Sequence, residues 1–120
     1  MIVLWPPPKD DSDEGLVILC RQAIQSALDI QARLNDKNIV DDIKLSVKIG
    51  FGIGDVTILH VGGKFGRAEY LAAGEPLIQA FEAEHCAKSG GKVFISEEVY
   101  MKVLNYFKPE KVSLKNDIAF

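Results

Sequence analysis

Residues 44–54 read Lys-Leu-Ser-Val-Lys-Ile-Gly-Phe-Gly-Ile-Gly, and their hydrophobic side chains recur at every second position. A period of two is that of a β-strand, whose successive side chains point to opposite faces. The stretch therefore predicts a strand with one apolar face and one nearly bare face. The apolar face carries Leu45, Val47, Ile49, Phe51 and Ile53. The other face carries Lys44, Ser46, Lys48, Gly50, Gly52 and Gly54.

A hairpin is predicted to follow this strand. Gly54-Asp55 suits a tight turn, and Val56 to Val61 would form the returning strand. A loop from Gly62 to Gly66 comes next, followed by a short segment at Glu69 to Ala73. Because a hairpin is antiparallel, the sheet that contains it cannot be purely parallel.

An amphipathic helix is predicted before this region. Ser12 is a suitable N-cap, and apolar residues then recur at three- and four-residue steps, with the helix ending near Asn35 to Asn38. Further upstream, Ile2 to Trp5 has the composition of a strand, which Pro6 to Pro8 would end because proline cannot donate a ladder hydrogen bond. A lone terminal strand is expected to pair with something. The helical stripe consists of Leu16, Leu19, Cys20, Ala23, Ile24, Ala27, Ile30 and Leu34.

Two more helices are predicted in the C-terminal half. Pro76 fits the first turn of one, which would end near Lys88 before a Ser-Gly-Gly stop. Ser96 would cap the other, which extends to Phe107. The mixed order of helices and strands predicts an α+β fold. Short strands are predicted at Val93–Ile95 and around Val112 and Leu114.

Composition excludes several classes of protein. The chain has 17 acidic and 14 basic residues that are scattered along it, so it carries no electrostatic signature of nucleic-acid or anionic-membrane binding. Its apolar start stops at Pro6, which is too short for a secretory signal or a membrane span. Cys20 and Cys86 sit far apart in apolar patterns, which favours two buried thiols in a reducing cytoplasm over a disulfide. His60 and His85 lack zinc-site spacing.

The glycine-bearing face of the strand allows two interpretations. Gly50, Gly52 and Gly54 match neither the GxGxxG nor the Walker spacing, and glycines inside a strand are typical of close approach by a helix or another backbone. Lys48 on that face is, by composition, most often a solvated side chain at a sheet edge. Alternatively, it is a cation beside a flat glycine-lined floor, which suits a polyphosphate.

Four segments, in this order, resemble class III adenylyl and guanylyl cyclase catalytic domains, and together they cover most of residues 2–115. The Val-Lys-Ile-Gly sequence and the Glu-Tyr pair are nearest to the first, C1-like half-domain of the bicarbonate-responsive soluble adenylyl cyclases. The segments are Ile2–Trp5, similar to the strand after the family's Gly-Asp metal motif; Val47–Gly62, similar to its central hairpin; Glu69–Glu75, similar to the segment before its interface helix; and Val93–Ser96, similar to the strand before its last helix.

The resemblance implies a ferredoxin-like α+β fold, in which helices cover a mixed or antiparallel sheet. Residues 1–120 would be the C-terminal two-thirds of one catalytic domain that lacks its first strand and helices. The family's two aspartates, which hold Mg²⁺ or Mn²⁺, would precede Met1. No catalytic metal ligand is therefore expected within this sequence.

The resemblance also assigns roles to single positions. Lys48 falls where the first half-domain carries a phosphate-binding lysine, which favours the polyphosphate interpretation. Leu71 and Ala72 fall near the base and effector pockets. The asparagine and arginine that stabilise the transition state in a complementary half would fall at Ile78 and Glu82, and neither residue can do that work. First half-domains of this subfamily also lack the pair.

The implied function is part of an adenylyl cyclase, a cytoplasmic phosphorus–oxygen lyase that makes cyclic AMP and pyrophosphate from ATP for signal transduction. The chain would need a complementary half-domain or a second copy, and would be inactive alone. Phe81 falls near the position of the subfamily's bicarbonate-binding arginine, so bicarbonate control is not implied. Two alternatives stay open. One is a degenerate cyclase-like module that dimerises or binds a regulatory ligand, and the other is an unrelated ferredoxin-like sensor domain.

Overall fold

The computed structural model describes residues 1–10, 12–86, 90–108, 110–111 and 118–119. Helices and strands alternate irregularly over these residues, as the α+β prediction requires. The helices are α1 (Asp13–Leu34), α2 (Glu75–Cys86) and α3 (Glu97–Val103). The strands are β1 (Lys37–Val40), β2 (Ile43–Leu45), β3 (Ile49–Phe51), β4 (Thr57–Gly62), β5 (Ala68–Ala73), β6 (Val93–Ile95), β7 (Glu110–Lys111) and β8 (Ile118–Ala119).

The central sheet has the strand order β3-β6-β8-β7. β3 and β6 are parallel, with Ile49 opposite Val93 and Phe51 opposite Ile95. β8 runs antiparallel to both β6 and β7. The sheet is therefore mixed, and its parallel pair joins segments that are more than 40 residues apart in the chain.

The hydrophobic core lies between this sheet and the helices α1 and α3. Ile49, Phe51 and Ile53 pack against the core, as the alternating pattern predicts. Burying one such aliphatic side chain stabilises the fold by about 1.5–3 kcal/mol. The fully buried core residues are Ile24, Ala27, Val93, Ile95, Val99 and Val103.

Both predicted helix caps are present. The Ser12 hydroxyl accepts a hydrogen bond from the backbone N–H of Gly15 at 3.0 Å. The Ser96 hydroxyl accepts one from the N–H of Val99 at 3.4 Å. Each bond satisfies one of the helix N–H groups that has no partner within the helix.

Two helices differ in detail from the prediction. In α1 the buried stripe ends on Gln31 rather than on Ile30 and Leu34, which are 41% and 37% exposed. The helix thereby directs an amide, instead of an aliphatic side chain, at the start of the sheet. α3 ends at Val103 rather than Phe107, and the N–H groups of Tyr106 and Phe107, which follow the helix, donate to the Val103 carbonyl oxygen.

The predicted hairpin between β3 and the following strand is wrong. β4 pairs with β5, while β3 pairs with β6, and Gly54-Asp55 only connects β3 to β4. Gly54 does have a positive φ of 146°, but the tight reversal is made in the later loop between β4 and β5, where Gly63, Phe65 and Gly66 have φ of 105°, 59° and 70°. The returning strand was predicted close to its observed bounds, but its partner was not.

The alternating stretch is also interrupted. Residues 46–48 form a connection between β2 and β3, and β2 pairs with β1 in a hairpin that the sequence analysis did not predict. Asp36 and Asp42 flank β1 with φ of 56° and 65°, a conformation that aspartate tolerates in turns.

The segment from Ile2 to Trp5 is not a strand, contrary to the prediction. Its side chains are 43–62% exposed, and no strand among the described residues pairs with it. Strand-forming composition alone cannot supply the missing ladder hydrogen bonds. The strand predicted at Val112 and Leu114, and the predicted end of α2 near Lys88, lie outside the described residues.

Helix α2 packs directly on the glycine-bearing face of β3. A methyl group at Gly50 would overlap the carbonyl oxygen of Ala80, and one at Gly52 would overlap that of Pro76. The interpretation of these glycines as a site of close helix approach is confirmed. Because α2 occupies this face, the open glycine-lined floor that the polyphosphate interpretation required does not exist at Gly50 and Gly52.

We predict that Gly50→Ala destabilises the chain by about 1–3 kcal/mol, because the added methyl group meets helix backbone that can yield only if α2 shifts. Urea denaturation measures this change. Thr57→Ala, on the exposed strand β4, is the control and should change the free energy of unfolding by less than about 0.5 kcal/mol. Equal stability of Gly50→Ala and the parent chain would contradict the packing of α2 on β3.

Candidate functional site

Lys48 lies in the connection immediately before β3 and is exposed. Its ammonium group forms no hydrogen bond or ion pair with the residues that the structure describes. The neighbouring backbone is nevertheless fixed, since the carbonyl oxygen of Val47 accepts a hydrogen bond from the Gly91 N–H at 3.0 Å. A fixed backbone below an unpaired cation is a geometry that can bind an anion.

Gln31 holds this connection from the side of α1. Its amide nitrogen donates to the carbonyl oxygens of Val47, at 2.8 Å, and Lys92, at 3.1 Å. The side chain is only 6% exposed, and its amide oxygen has no hydrogen-bond partner among the described residues. Sequence reasoning missed Gln31, although its position, four residues after Ala27 on the buried side of the helix, was a usable signal.

Leu71 and Ala72 lie on β5, in the two-stranded ribbon formed by β4 and β5 (the β4–β5 ribbon). Leu71 is opposite Leu59, and Ala72 is opposite Ile58. As consecutive strand residues they point to opposite faces of the ribbon. The structure therefore does not bring them onto one wall of one pocket.

The β4–β5 ribbon exposes apolar side chains on both faces. Leu59, Val61 and Leu71 share one face and are 49–52% exposed. On the other face, the rings of His60 and Tyr70 meet edge to face at a centroid distance of 4.5 Å. A two-stranded ribbon with no covered face is at best marginally stable in water, so this surface is suited to covering by another molecule.

The outer face of α2 carries the positions that the resemblance assigned to the transition-state pair. Ile78 and Glu82 are one helical turn apart and both exposed, and Phe81 beside them is 58% exposed. The structure thus brings these positions together on one accessible surface. The aliphatic side chain of Ile78 and the carboxylate of Glu82 cannot donate hydrogen bonds to a developing negative charge, so the chemistry of the pair is absent here.

Gln79 faces inward from α2 and was also missed by the sequence analysis. Its amide oxygen accepts hydrogen bonds from the Ile53 N–H at 3.0 Å and from the Ser96 hydroxyl at 3.1 Å. It therefore ties α2 to the end of β3 and to the start of α3. Its spacing of three residues from Pro76 and four from Ala83, both buried, was the available signal.

A shallow cavity on α1 does not involve the candidate residues. Arg21 on its rim is engaged with Tyr106, since the guanidinium carbon lies 4.1 Å from the ring centroid. Lys48, Leu71 and Ala72 are not part of its wall. The cavity is lined by Ile18, Arg21, Gln22, Gln25 and Phe107.

The described residues do not fit a catalytic metal site. No group of three or more His, Cys, Asp or Glu side chains among them is arranged to hold a metal ion. Neither cysteine forms a disulfide. Burial raises the pKa of the Cys20 thiol, so the sulfur stays protonated and is a poor ligand and nucleophile. No chemical step in this part of the chain is assigned to a metal or a thiol.

Comparison with known proteins identifies the fold. A scan of protein-family models gives no match, and a search of curated protein sequences gives none. The crystal structure of the guanylate cyclase domain of RhGC from Catenaria anguillulae in complex with GTP is similar, with a TM-score of 0.65 at 21% sequence identity over 83% of this chain. The catalytic core of a rhodopsin-guanylyl cyclase with converted specificity, in complex with ATPαS, gives a TM-score of 0.61 at 22% identity, again over 83% of this chain.

The chain therefore has the fold of a class III nucleotidyl cyclase catalytic domain. It spans about half the length of the two solved structures, 56% and 55% respectively. No helix among the described residues is long and apolar enough to cross a membrane.

Proposed function

We propose that this chain is part of an adenylyl cyclase that produces cyclic AMP and pyrophosphate from ATP, and that it is the half which carries the phosphate-binding lysine. The observation that carries the proposal is the cyclase fold over 83% of the chain. The assignment to the adenylyl cyclase subfamily is supported by two segments that resemble the C1-like half-domain of soluble adenylyl cyclases, Val47–Gly50 and Glu69–Glu75.

The residues of this chain would contribute charge and positioning rather than proton transfer. In phosphoryl transfer the negative charge spreads over the phosphoryl oxygens, and cations that neutralise it lower the barrier. Lys48 is exposed, unpaired among the described residues and anchored through its backbone, so it is the residue we assign to the substrate phosphates. The 3′-hydroxyl of the nucleotide would attack the α-phosphorus and expel pyrophosphate.

Leu71 and Ala72 would line the base and effector pockets. Because the two side chains point to opposite faces of the β4–β5 ribbon, we assign one residue to each pocket. The preference for ATP over GTP rests on the subfamily resemblance. One similar structure contains GTP, and the other, of converted specificity, contains ATPαS.

The required partner would be a complementary cyclase half-domain or a second copy of this chain. The exposed apolar faces of the β4–β5 ribbon and of α2 support an interface. The charges are also complementary, because Lys64 and Arg67 stand at the tip of the ribbon, whereas Glu75 and Glu82 lie on α2.

A non-catalytic, cyclase-like module is the second candidate. The observation that favours it is the exposed surface formed by Ile78 and Glu82, which cannot stabilise a transition state. The two candidates differ in whether a complex with a complementary half turns ATP over. An active complex that depends on Lys48 supports the enzyme, and a stable but inactive complex supports the module.

We predict that Lys48→Ala weakens ATP binding or lowers turnover of the complete enzyme at least tenfold, which corresponds to about 1.4 kcal/mol. The loss follows from removing a cation that contacts the triphosphate. Lys44→Ala is the matched control, since Lys44 is also an exposed lysine and lies on the preceding strand β2, and it should leave both quantities unchanged. Unaltered kinetics in Lys48→Ala would refute the assignment.

We predict that the chain forms dimers or larger species at micromolar concentration, as measured by sedimentation velocity. Leu71→Lys should shift the population to monomer, because it places a charge in an apolar contact surface. Ile39→Lys is the control, since Ile39 on β1 is 58% exposed but lies off the β4–β5 ribbon. A purely monomeric parent chain, or equal effects of both variants, would count against the interface.

We predict that the purified chain alone makes no cyclic AMP from ATP with either Mg²⁺ or Mn²⁺. Even in a homodimer both copies carry Ile78 and Glu82, so neither copy supplies the asparagine and arginine that would stabilise the transition state. The measurement is a cyclic AMP assay against a catalytically dead full-length enzyme. Product above that background would show that the active site has been misplaced.

A further inference from the structure

Lys48 has a second lysine beside it in the sheet. β3 and β6 are parallel and in register, with Ile49 opposite Val93. The residues directly before these two are Lys48 and Lys92, so two lysines stand next to each other where the parallel strands begin. Neighbouring strands are about 4.8 Å apart, which places the two Cα atoms close together.

One buried amide fixes the spacing of the two lysines. The Gln31 side-chain nitrogen donates to the carbonyl oxygen of Val47, just before Lys48, and to that of Lys92 itself. The N–H of Gly91, just before Lys92, also donates to the Val47 oxygen. Three hydrogen bonds therefore lock the two lysine-bearing backbones together, and the locking residue is itself buried.

Both lysine positions lie directly before the two strands that α2 contacts. Ile49 and Val93, the next residues along, pack with the core on the side of α1 and α3. Gly50, one residue after Ile49, lies on the opposite face of β3, which α2 covers. Glu84 of α2 packs over Gly50, because a methyl group at Gly50 would lie 3.0 Å from the Glu84 Cβ.

We propose that Lys48 and Lys92 form one binding site for a diphosphate or triphosphate group, with Gln31 as the residue that positions them. The inference rests on the proposed role of Lys48 and adds the second cation, the positioning residue and an opposing carboxylate, Glu84. A chain of two or three phosphates carries several adjacent charges and can contact two ammonium groups at once. A monophosphate is expected to bind less tightly.

A purely structural role for the lysines is the competing explanation. α2 runs antiparallel to β3, since Pro76 lies over Gly52 and Glu84 lies over Gly50. Its C-terminal end therefore approaches the lysine positions, and cations stabilise helix C-termini. A lysine with this role would affect the stability of the chain rather than its affinity for an anion.

The test is a calorimetric titration of the chain with inorganic pyrophosphate, with orthophosphate as the weaker comparison. Lys92→Ala and Lys48→Ala should each lower the affinity for pyrophosphate about tenfold. The affinity of the double variant should fall by less than the product of the two single-variant factors, because both lysines contact the same ligand. Lys92→Arg, which keeps the charge, should retain most of the binding. Glu84→Gln should strengthen binding two- to fivefold because it removes a repelling carboxylate. Lys44→Ala should have no effect.

Two further measurements separate charge from structure. The slope of log affinity against log salt concentration should become shallower with each lysine removed, and thermal denaturation should show similar melting temperatures for all variants. Loss of affinity in Lys48→Ala alone would overturn the paired site and leave the proposed function intact. Unchanged affinity for pyrophosphate in both single variants would overturn the paired site and also the proposed role of Lys48. A lowered melting temperature in Lys92→Ala with unchanged affinity would establish the structural role instead.

Discussion

The contact between α2 and β3 is the constraint on which the rest of this structure depends. At Gly50 and Gly52 the helix backbone lies directly on the strand, with no side chain between them. This contact fixes the rotation of α2 about its axis. Gln79 then faces the end of β3 and the cap of α3, while Ile78 and Glu82 face outward. The same packing that stabilises the helix thus decides which residues remain available to a partner.

The outward surfaces are large for so short a chain. The radius of gyration is 16.2 Å, whereas a compact domain of this length has about 14 Å. The difference agrees with a β4–β5 ribbon whose side chains are exposed on both faces. A ribbon of this kind buries too little surface to offset the entropy of ordering it, so its stability depends on whatever covers it. The apolar segment before Pro6 raises the same requirement at another surface.

Local chemistry could be predicted from the sequence, whereas pairing across the chain could not. Ser12 and Ser96 cap helices through residues only three positions away, and Ile49 and Phe51 face the core because a strand alternates. The partner of β3 is different. The Gly-Asp pair after β3 favoured pairing with the next strand in the sequence. In the structure β3 pairs instead with β6, more than 40 residues later, and α2 packs on β3 at Gly50. For the site, Lys48 was a candidate from its sequence context, whereas Gln31 was missed. Its four-residue spacing from Ala27 indicated an inward-facing side chain, but spacing does not reveal which carbonyl oxygens a side-chain amide contacts.

The distribution of charge argues for an asymmetric assembly. In a two-fold pair each contact occurs twice, with the same residues on both sides. Two copies of this chain would therefore present the same Lys48 and the same Glu82 twice. Under the proposed roles, each site would then receive a cation from one copy and a carboxylate, instead of a hydrogen-bond donor, from the other. A carboxylate near a polyphosphate repels it, and it cannot replace a hydrogen-bond donor. A partner that carries a cationic or amide side chain at the position equivalent to Glu82 would remove the repulsion and also supply a hydrogen-bond donor. Under the roles proposed for Lys48 and for the α2 surface, a partner half with different chemistry therefore fits the site better than a second copy of this chain.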